Sequence, residues 1–439
     1  MLFALAALLA VIALPSSASA SVSCGLVASP SGSDSSPGTV EQPLQSVQRL
    51  IDSLAPGQTG CLRAGTYTDS DQEIKFVTAS TTLTSYPGER ATVSGRVWVS
   101  QTADSTTISD LNIDGRNDRT LPSPTINADD VVLRGNDITN HHTSICIVVG
   151  SPSTWGRAHR TLIEGNRVHD CGLLPATNFD HGVYVSAADD TIIRDNLIYG
   201  NADRGIQMYA DAQRTQITGN VIDGNGQGVI FGGDEGSASS GNVVAGNVIT
   251  NSKIRDNVES SWGGPIGQGN VVRNNCIGGG AYDEGDGGIL AGAASKRGFS
   301  TADNTLEAPK FANPAAGDFT IEAASPCAAL IAGAVAAQPA APATQPGATT
   351  APPEVTIRAS KRRVHRFKRV RVKGTAPGAG VVTVLSRRDG RWRPIRRVAT
   401  ATSGRYGAKV RLRVSGPTAL KAVAGGLRDS RPVKLRVET

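Results

Sequence analysis

Aromatic residues are scarce: Phe, Trp and Tyr make up 4% of 439 residues, and methionine occurs twice. A chain so poor in large side chains is not built to pack long helices. Its 50 glycines suit stacked short strands joined by tight turns, because glycine supplies the positive φ angles that repeated turns need. The six cysteines show no C-x-x-C spacing, which argues against a zinc framework and for disulfides in an exported chain. Paired in order along the chain they are Cys24–Cys61, Cys146–Cys171 and Cys276–Cys327, with other pairings formally open.

After residue 20 there is no apolar run long enough to span a bilayer. Residues 1–20, MLFALAALLAVIALPSSASA, read as a signal peptide: an apolar stretch of the right length ends at the small-x-small site Ala18-Ser19-Ala20, although the basic n-region is missing. Acidic residues are nearly absent at the other end. Residues 354–439 hold 24 Lys/Arg against four Asp/Glu, whereas the preceding 353 residues hold 20 against 34. The two parts have opposite charge, so the basic part predicts an anionic partner, an acidic polysaccharide or an anionic cell-wall polymer. Nucleic acid is not expected, since the chain reads as exported and few aromatics interleave with the arginines. A monomer is expected.

Residues 333–353 carry no charge and no apolar periodicity and read as an Ala/Pro-rich linker. Beyond it, alternating stretches such as Val381–Val384 and Val410–Val414, punctuated by Gly and Pro, predict a small basic antiparallel β-sandwich, Ig-like, over 354–439. Before it, residues 21–332 contain an internal repeat. The copies TTISDLNID, VVLRGNDIT, TLIEGNRVH, TIIRDNLIY, TQITGNVID, NVVAGNVIT and NVVRNNCIG align Asn112, Asn136, Asn166, Asn196, Asn220, Asn247 and Asn275, spaced 24 to 30 residues apart.

Each copy has β-branched residues two apart, then Asn, then another apolar pair, as in two short strands flanking a bend. Asn is expected to take the left-handed bend conformation, with its amide stacked on those of neighbouring coils. A third strand recurs as Gly182–Val185, Gly205–Met208 and Gly228–Phe231. Three strands per coil predict an all-β solenoid, a three-sheet parallel β-helix; nine or ten coils at about 4.8 Å would make a rod of roughly 45 Å. Residues 43–54, with Leu44, Val47, Leu50, Ile51 and Leu54 on one helical face, are the expected N-terminal cap.

The opening segment ASPSGSDSSPGTVEQPLQSVQRLIDSLAPGQTGCLRAGTY, the coil TLTSYPGERATVSG and the closing APKFANPAAGDFTIEAASPCAAL resemble the right-handed β-helix superfamily that includes pectate-lyase-like proteins. The resemblance covers about residues 22–331. It implies a right-handed three-sheet helix on which lyases, epimerases, hydrolases and non-catalytic binders are all built, so the scaffold does not fix the activity.

Five of the six histidines fall between residues 141 and 181. Aligning the 23-residue strands sets His181 beside Arg204 and Gln227, Asp180 beside Asp203, Tyr184 beside Gln207, and Ser186 beside Tyr209. Alternation sends Val183, Val185, Ile206, Met208, Val229 and Phe231 inward and Tyr184, Gln207, Ser186 and Tyr209 outward. This outer patch has the parts for β-elimination on a uronic acid: Arg204 to neutralise the carboxylate, His181 to abstract the C5 proton, and Tyr184 or Tyr209 to protonate the leaving oxygen. Gln207, Tyr209 and Gln227 are the expected substrate contacts. The same groups would epimerise C5 if the proton returned on the other face.

Asp180 with Asp203 would instead serve hydrolysis, but the G-H-G and R-I-K segments of polygalacturonase-like hydrolases are absent. The competing reading is a non-catalytic carbohydrate-binding or cell-surface protein, since strand-end Asp and Asn also serve simply to hold turns. No cofactor is required by the pattern. Calcium is an alternative carboxylate neutraliser through the acidic loops Gly233–Gly236 and Tyr282–Gly287. His169 and Asp170 adjoin Cys171 and read as structural, and the pair His141-His142 lacks a clear third metal ligand.

Overall fold

The computed structural model describes residues 23–151, 155–290, 294–336 and, with short interruptions, 355–438. The expected signal peptide and most of the linker lie outside the described residues. The larger part is a parallel β-helix with three faces. Eleven parallel strands, from Leu26–Ala28 to Phe299–Ala302, form the first face. The second runs from Asn112–Asp114 to Cys276–Gly280, and the third from Thr125–Ile126 to Val258–Trp262. The long strand Ala91–Val99 joins the last two into one sheet: Thr92–Ser94 pair with the second face, and Trp98 and Val99 with the third.

Most strands on the first two faces are three residues long, and in many of them only the middle residue is buried. One inward side chain per strand per coil makes columns of stacked aliphatics, Ile163–Ile193–Ile217–Val244 on the first face and Val168–Ile198–Ile222–Ile249 on the second, all fully buried. A narrow core filled this way needs β-branched aliphatics rather than large rings. That accounts for the low aromatic content.

At the bend between the first two faces an amide ladder runs through Asn136, Asn166, Asn196, Asn220, Asn247, Asn275 and Asn304. Each Nδ2 donates to the next Oδ1 at 2.9–3.1 Å, and each main-chain N–H donates to the same oxygen. Two expectations are corrected here. Asn112 stands outside the ladder, because Leu111 occupies its rung and its N–H donates to Asn136 Oδ1; Asn112 begins a strand opposite Asp137. The left-handed residue is the one before each Asn, namely Gly135, Gly165, Asp195, Gly219, Gly246, Asn274 and Asp303. The amide must point into the bend to reach its neighbours, so the preceding residue makes the turn.

The N-terminus is covered by the helix Val47–Asp52, whose N-cap Ser46 accepts from the Arg49 N–H. Leu44, Val47, Leu50, Ile51 and Leu54 are all buried against the first coil, as the spacing predicts. The three disulfides are those expected from chain order. Beyond the last coil, the strand pair Phe311–Asn313 and Asp318–Ile321 and the helix Ala332–Ala336 fold back over the outer side of the second face. There Phe311, Phe319, Cys327, Ile331 and Ala334 pack on Leu197, Val221, Val248 and Cys276. Residues 333–336, expected in the linker, belong instead to this helix, whose Ala334 is part of the core; residues 337–354 lie outside the described residues.

The basic C-terminal part has two sheets, one of three strands and one of five, mostly antiparallel, around its own core of Val355, Val372, Val384, Leu412, Leu420 and Leu435. Among the described residues no helix is long and apolar enough to cross a membrane.

Candidate functional site

The third face carries the expected patch. Its strands Val183–Asp189, Arg204–Gln213, Gln227–Gly233 and Val258–Trp262 lie side by side in parallel register. Val183, Val185, Ile206, Met208, Val229, Phe231 and Val258 are fully buried in the core, so the residues between them project outward. One outward ladder crosses the whole face: Trp98, Thr125, Val148, Tyr184, Gln207, Ile230 and Glu259 are consecutive register partners. Adjacent rungs are about 4.8 Å apart, so the ladder is about 29 Å long.

Arg204 pairs with Gln227 across the strands, as the alignment predicts. The Ser186–Tyr209 rung is not a simple pair, since a bulge between Val185 and Ala187 shifts the register there. The patch is deeper than alternation alone implies. His181, Arg204, Gln207, Gln227 and Ser186 are buried, and Tyr184 and Tyr209 are half-buried. The loop 173–181 and the turn 253–257 rise beside the strands; Phe179 and Leu174 are exposed on the first, Ile254 on the second.

Arg204 is held by Asn178, with Nη1 donating to its carbonyl at 2.6 Å and Nη2 to its Oδ1 at 2.7 Å. Burial depresses the guanidinium's pKa, while Glu259 and Asp203 act the other way. His181 lies edge-on to the Tyr184 ring at 5.6 Å. Burial, reinforced by the Arg204 charge, pushes its pKa well below the usual histidine value, so the imidazole is neutral. Burial raises the Tyr184 phenol, which therefore keeps its proton.

Asp180 and Asp203 come together in a different role from the one hydrolysis requires. Asp203 Oδ2 accepts the Asp180 N–H at 2.8 Å, and the Thr177 hydroxyl lies 2.6 Å from Asp180 Oδ2 and 3.3 Å from Asp203 Oδ2. These carboxylates fasten the loop 177–180 to the coil beneath it.

Sequence reasoning missed Glu259. Its side chain is wholly buried, neither oxygen has a hydrogen-bond partner, and Arg255 Nη2 lies 3.0 Å from Oε2. Burial lifts its carboxyl to about 7. The signal was available: a Glu one residue after Val258, 29 residues beyond Ile230, continues the outward ladder. The longer 29-residue coil broke the 23-residue alignment. Polar atoms without partners concentrate around it, namely His181 Nδ1, Arg204 Nε, Gln207 Oε1, Gln227 Oε1 and Ser260 Oγ.

The remaining histidines are elsewhere. His169 sits between Asp137 and Asp170, with Nε2 at 2.9 Å and Nδ1 at 3.0 Å, stacked on Tyr199 at 5.0 Å; the carboxylates overcome desolvation and raise it to about 9. His159 pairs with Asp129 at 2.7 Å. Among the described residues no group of three or more His, Cys, Asp or Glu is arranged to hold a metal ion. In the acidic loops, Asp234 Oδ1 accepts from Gly236 and Ser237, and the Asp283 carboxylate accepts from Gly279, Gly285 and Gly287. Both carboxylates are engaged in shaping their turns.

At the far end of the ladder the Trp98 and Trp155 rings meet edge to face at 5.1 Å, with Lys75 Nζ 4.4 Å and Arg96 4.9 Å from the Trp98 ring. Trp155 is 53% exposed. An exposed aromatic beside cations is a surface on which a charged sugar ring can stack.

Three faces of stacked parallel strands, a bend ladder and a capped end define a parallel β-helix. Residues 99–290 match the family described as right handed beta helix region. The larger part of the chain folds as a right-handed parallel β-helix. It is 44% identical over 71 residues to pectate lyase PEL9 of Emericella nidulans, a match covering 15% of this chain and only 17% of that relative. Among solved structures it is similar to pectate lyase Pel9A, with 14% identity, a TM-score of 0.48, and 66% of this chain and 80% of that one covered. It is also similar to a PL6 alginate lyase in complex with a trisaccharide, with 14% identity, a TM-score of 0.37, and 57% and 58% covered. No activity follows from likeness at that level.

Proposed function

We propose that the protein is secreted and acts on uronate-containing polysaccharide at the third face, as a lyase or C5-epimerase. The observation that carries this reading is the run of buried polar atoms without partners on His181, Arg204, Gln207, Gln227 and Glu259, on neighbouring rungs of one outer face. Buried polar groups are otherwise almost always paired. A patch of them beside half-buried aromatics is suited to a polar ligand that supplies the missing partners.

In this reading Arg204, fixed by Asn178, places a positive charge against the uronate carboxylate and acidifies the C5 proton. Neutral His181 accepts that proton. The electron pair forms the C4–C5 double bond, the bond from C4 to its glycosidic oxygen breaks, and the leaving oxygen takes a proton from Tyr184. The pKa directions suit these roles, a histidine kept unprotonated and a phenol kept protonated. Gln207, Gln227 and Tyr209 would contact the sugar hydroxyls. Epimerisation differs only in returning a proton to C5 from the opposite face, for which Glu259, lifted to about 7, is the available donor. Hydrolysis is disfavoured because Asp180 and Asp203 hold the loop. The second reading, carbohydrate binding without catalysis, is favoured by the depth of His181 and Arg204, 2% and 5% exposed.

The test is incubation of the chain from residue 21 onward with uronate-containing and neutral polysaccharides, with and without calcium. Absorbance of unsaturated uronate, reducing ends and C5 proton exchange are followed together. Product from uronate polymers that disappears in His181→Ala and Arg204→Ala supports the reading. Reducing ends alone would move the assignment to hydrolysis, and binding with no reaction would establish the non-catalytic alternative.

A further inference from the structure

The three-stranded sheet of the basic part presents one face made almost wholly of cations. On the strand Arg369–Thr375 every second residue is buried, Val370 and Val372, and the alternate ones, Arg369, Arg371 and Lys373, are exposed. On one side of this strand Arg369 stands opposite Arg411 and Arg371 opposite Lys409; on its other side Lys373 stands opposite Arg358. Like charges placed directly opposite one another are an unfavourable arrangement, and the strand carries it on both of its sides. All six residues are exposed.

The acidic residue described in this part, Glu438, lies on the other sheet, beside His365. The edge strand of that five-stranded sheet, Arg391–Ala399, adds Arg393 and Arg396 to the far side of a groove of about 970 Å³, shared with Arg369, Lys409 and Arg411. A fold that keeps cation against cation on both sides of one strand, with a cationic groove alongside, is matched by an external polyanion.

We propose that this face and its groove bind an extended anionic polysaccharide, holding the β-helix beside its substrate. Guanidinium groups recognise carboxylates in the forked, charge-assisted geometry that polyuronates offer at every sugar. The groove lining contains no aromatic residue, so it offers no stacking platform for bases, and single-stranded nucleic acid is the poorer fit. The choice of a uronate polymer rests on the reading of the β-helix site given above; the existence of the anion-binding face does not.

The experiment measures retention of the full chain on immobilised polygalacturonate, on a neutral glucan and on single-stranded DNA across a salt gradient. The expected result is salt-sensitive retention on polygalacturonate alone. Arg371→Gln with Lys409→Gln should weaken binding about tenfold at low salt and reduce the slope of log affinity against log salt by roughly one per cation removed. Arg411→Glu should weaken binding while raising the unfolding midpoint, because it turns a repulsive rung into an attractive one. A misfolded protein would lose both, so the pair of readouts separates the two cases. Unchanged retention in the Gln double variant, or equal retention on DNA, would overturn the proposal. His181→Ala is expected to abolish turnover and leave retention intact, so failure of the catalytic reading and failure of this one give different results.

Discussion

Substituting one amide in the middle of the asparagine ladder should destabilise the β-helix far more than substituting the last one. Asn196 Nδ2 donates to the carbonyls of Ile163 and Arg194 and to Asn220 Oδ1, each at 2.9 Å, and its Oδ1 accepts from Asn166 N at 2.8 Å and Asn166 Nδ2 at 3.0 Å. It is fully buried. Asn196→Ala strips the Asn166 N–H of its acceptor and removes a donor from two carbonyls, with no route for water to replace them. At about 1–3 kcal/mol per buried group left unpaired, and less for carbonyls with a second lone pair engaged, the expected loss is about 4 kcal/mol.

Asn304 ends the ladder. It donates to Val272 O at 3.0 Å and accepts from Asn275 N and Nδ2 at 3.0 and 2.9 Å, but it is half-buried, so water substitutes and Asn304→Ala should cost about 1 kcal/mol. Asn196→Asp keeps the shape but sets oxygen against three acceptors, and should be at least as damaging as Ala. Urea unfolding followed by tryptophan fluorescence measures all three. A difference between Asn196→Ala and Asn304→Ala below about 1 kcal/mol would refute the argument that the buried amides act as a continuous network.

Stability should fall as pH rises from 6.5 to about 9: His169 is raised to about 9 in the fold, so its contribution is complete below 6.5 and lost as the folded group deprotonates. Thermal melts of the wild type against His169→Gln across that range would show a flatter profile in the variant. Glu259→Gln should raise stability above pH 7, since burial holds the carboxyl at about 7 in the fold in spite of Arg255 while in the unfolded chain it ionises freely, and the gain should vanish below the ordinary carboxylate range; melts at pH 4 and pH 8 check it. Replacing Cys276 and Cys327 by Ala should free the segment 311–336 to limited proteolysis, with a loss of about 2–4 kcal/mol, while the coils stay resistant. Trp155→Ala should weaken binding of long uronate oligosaccharides but not of those spanning only the Tyr184–Glu259 rungs, measured by calorimetry with a length series.

Much of the architecture was legible because a solenoid repeats its physics at every coil. β-branched pairs either side of Asn136, Asn166 and Asn196 mark strands and bend, and the 23-residue recurrence of Gly182, Gly205 and Gly228 aligned Tyr184 with Gln207 and Arg204 with Gln227. The alignment misled where coil length changes. Asn112 aligns with the ladder asparagines in sequence although Leu111 stands on that rung, and Glu259 falls outside the 23-residue alignment because its coil is six residues longer than the two before it. Local propensity does not record such insertions; only hydrogen-bonded pairing does.

The sequence by itself determined the repeating unit, the inward columns and the charge division, because each depends on residue type and spacing along one strand or coil; which cysteines meet was settled by the fold. The tertiary structure alone decided what each polar group does. Whether Asp203 serves chemistry or holds Thr177 and Asp180, whether His181 is neutral, and whether the Glu259 carboxyl is raised all depend on burial and on the neighbours that stacking sets beside each group. Electrostatic character is set by the surroundings of a group, and those surroundings exist only once the coils are stacked.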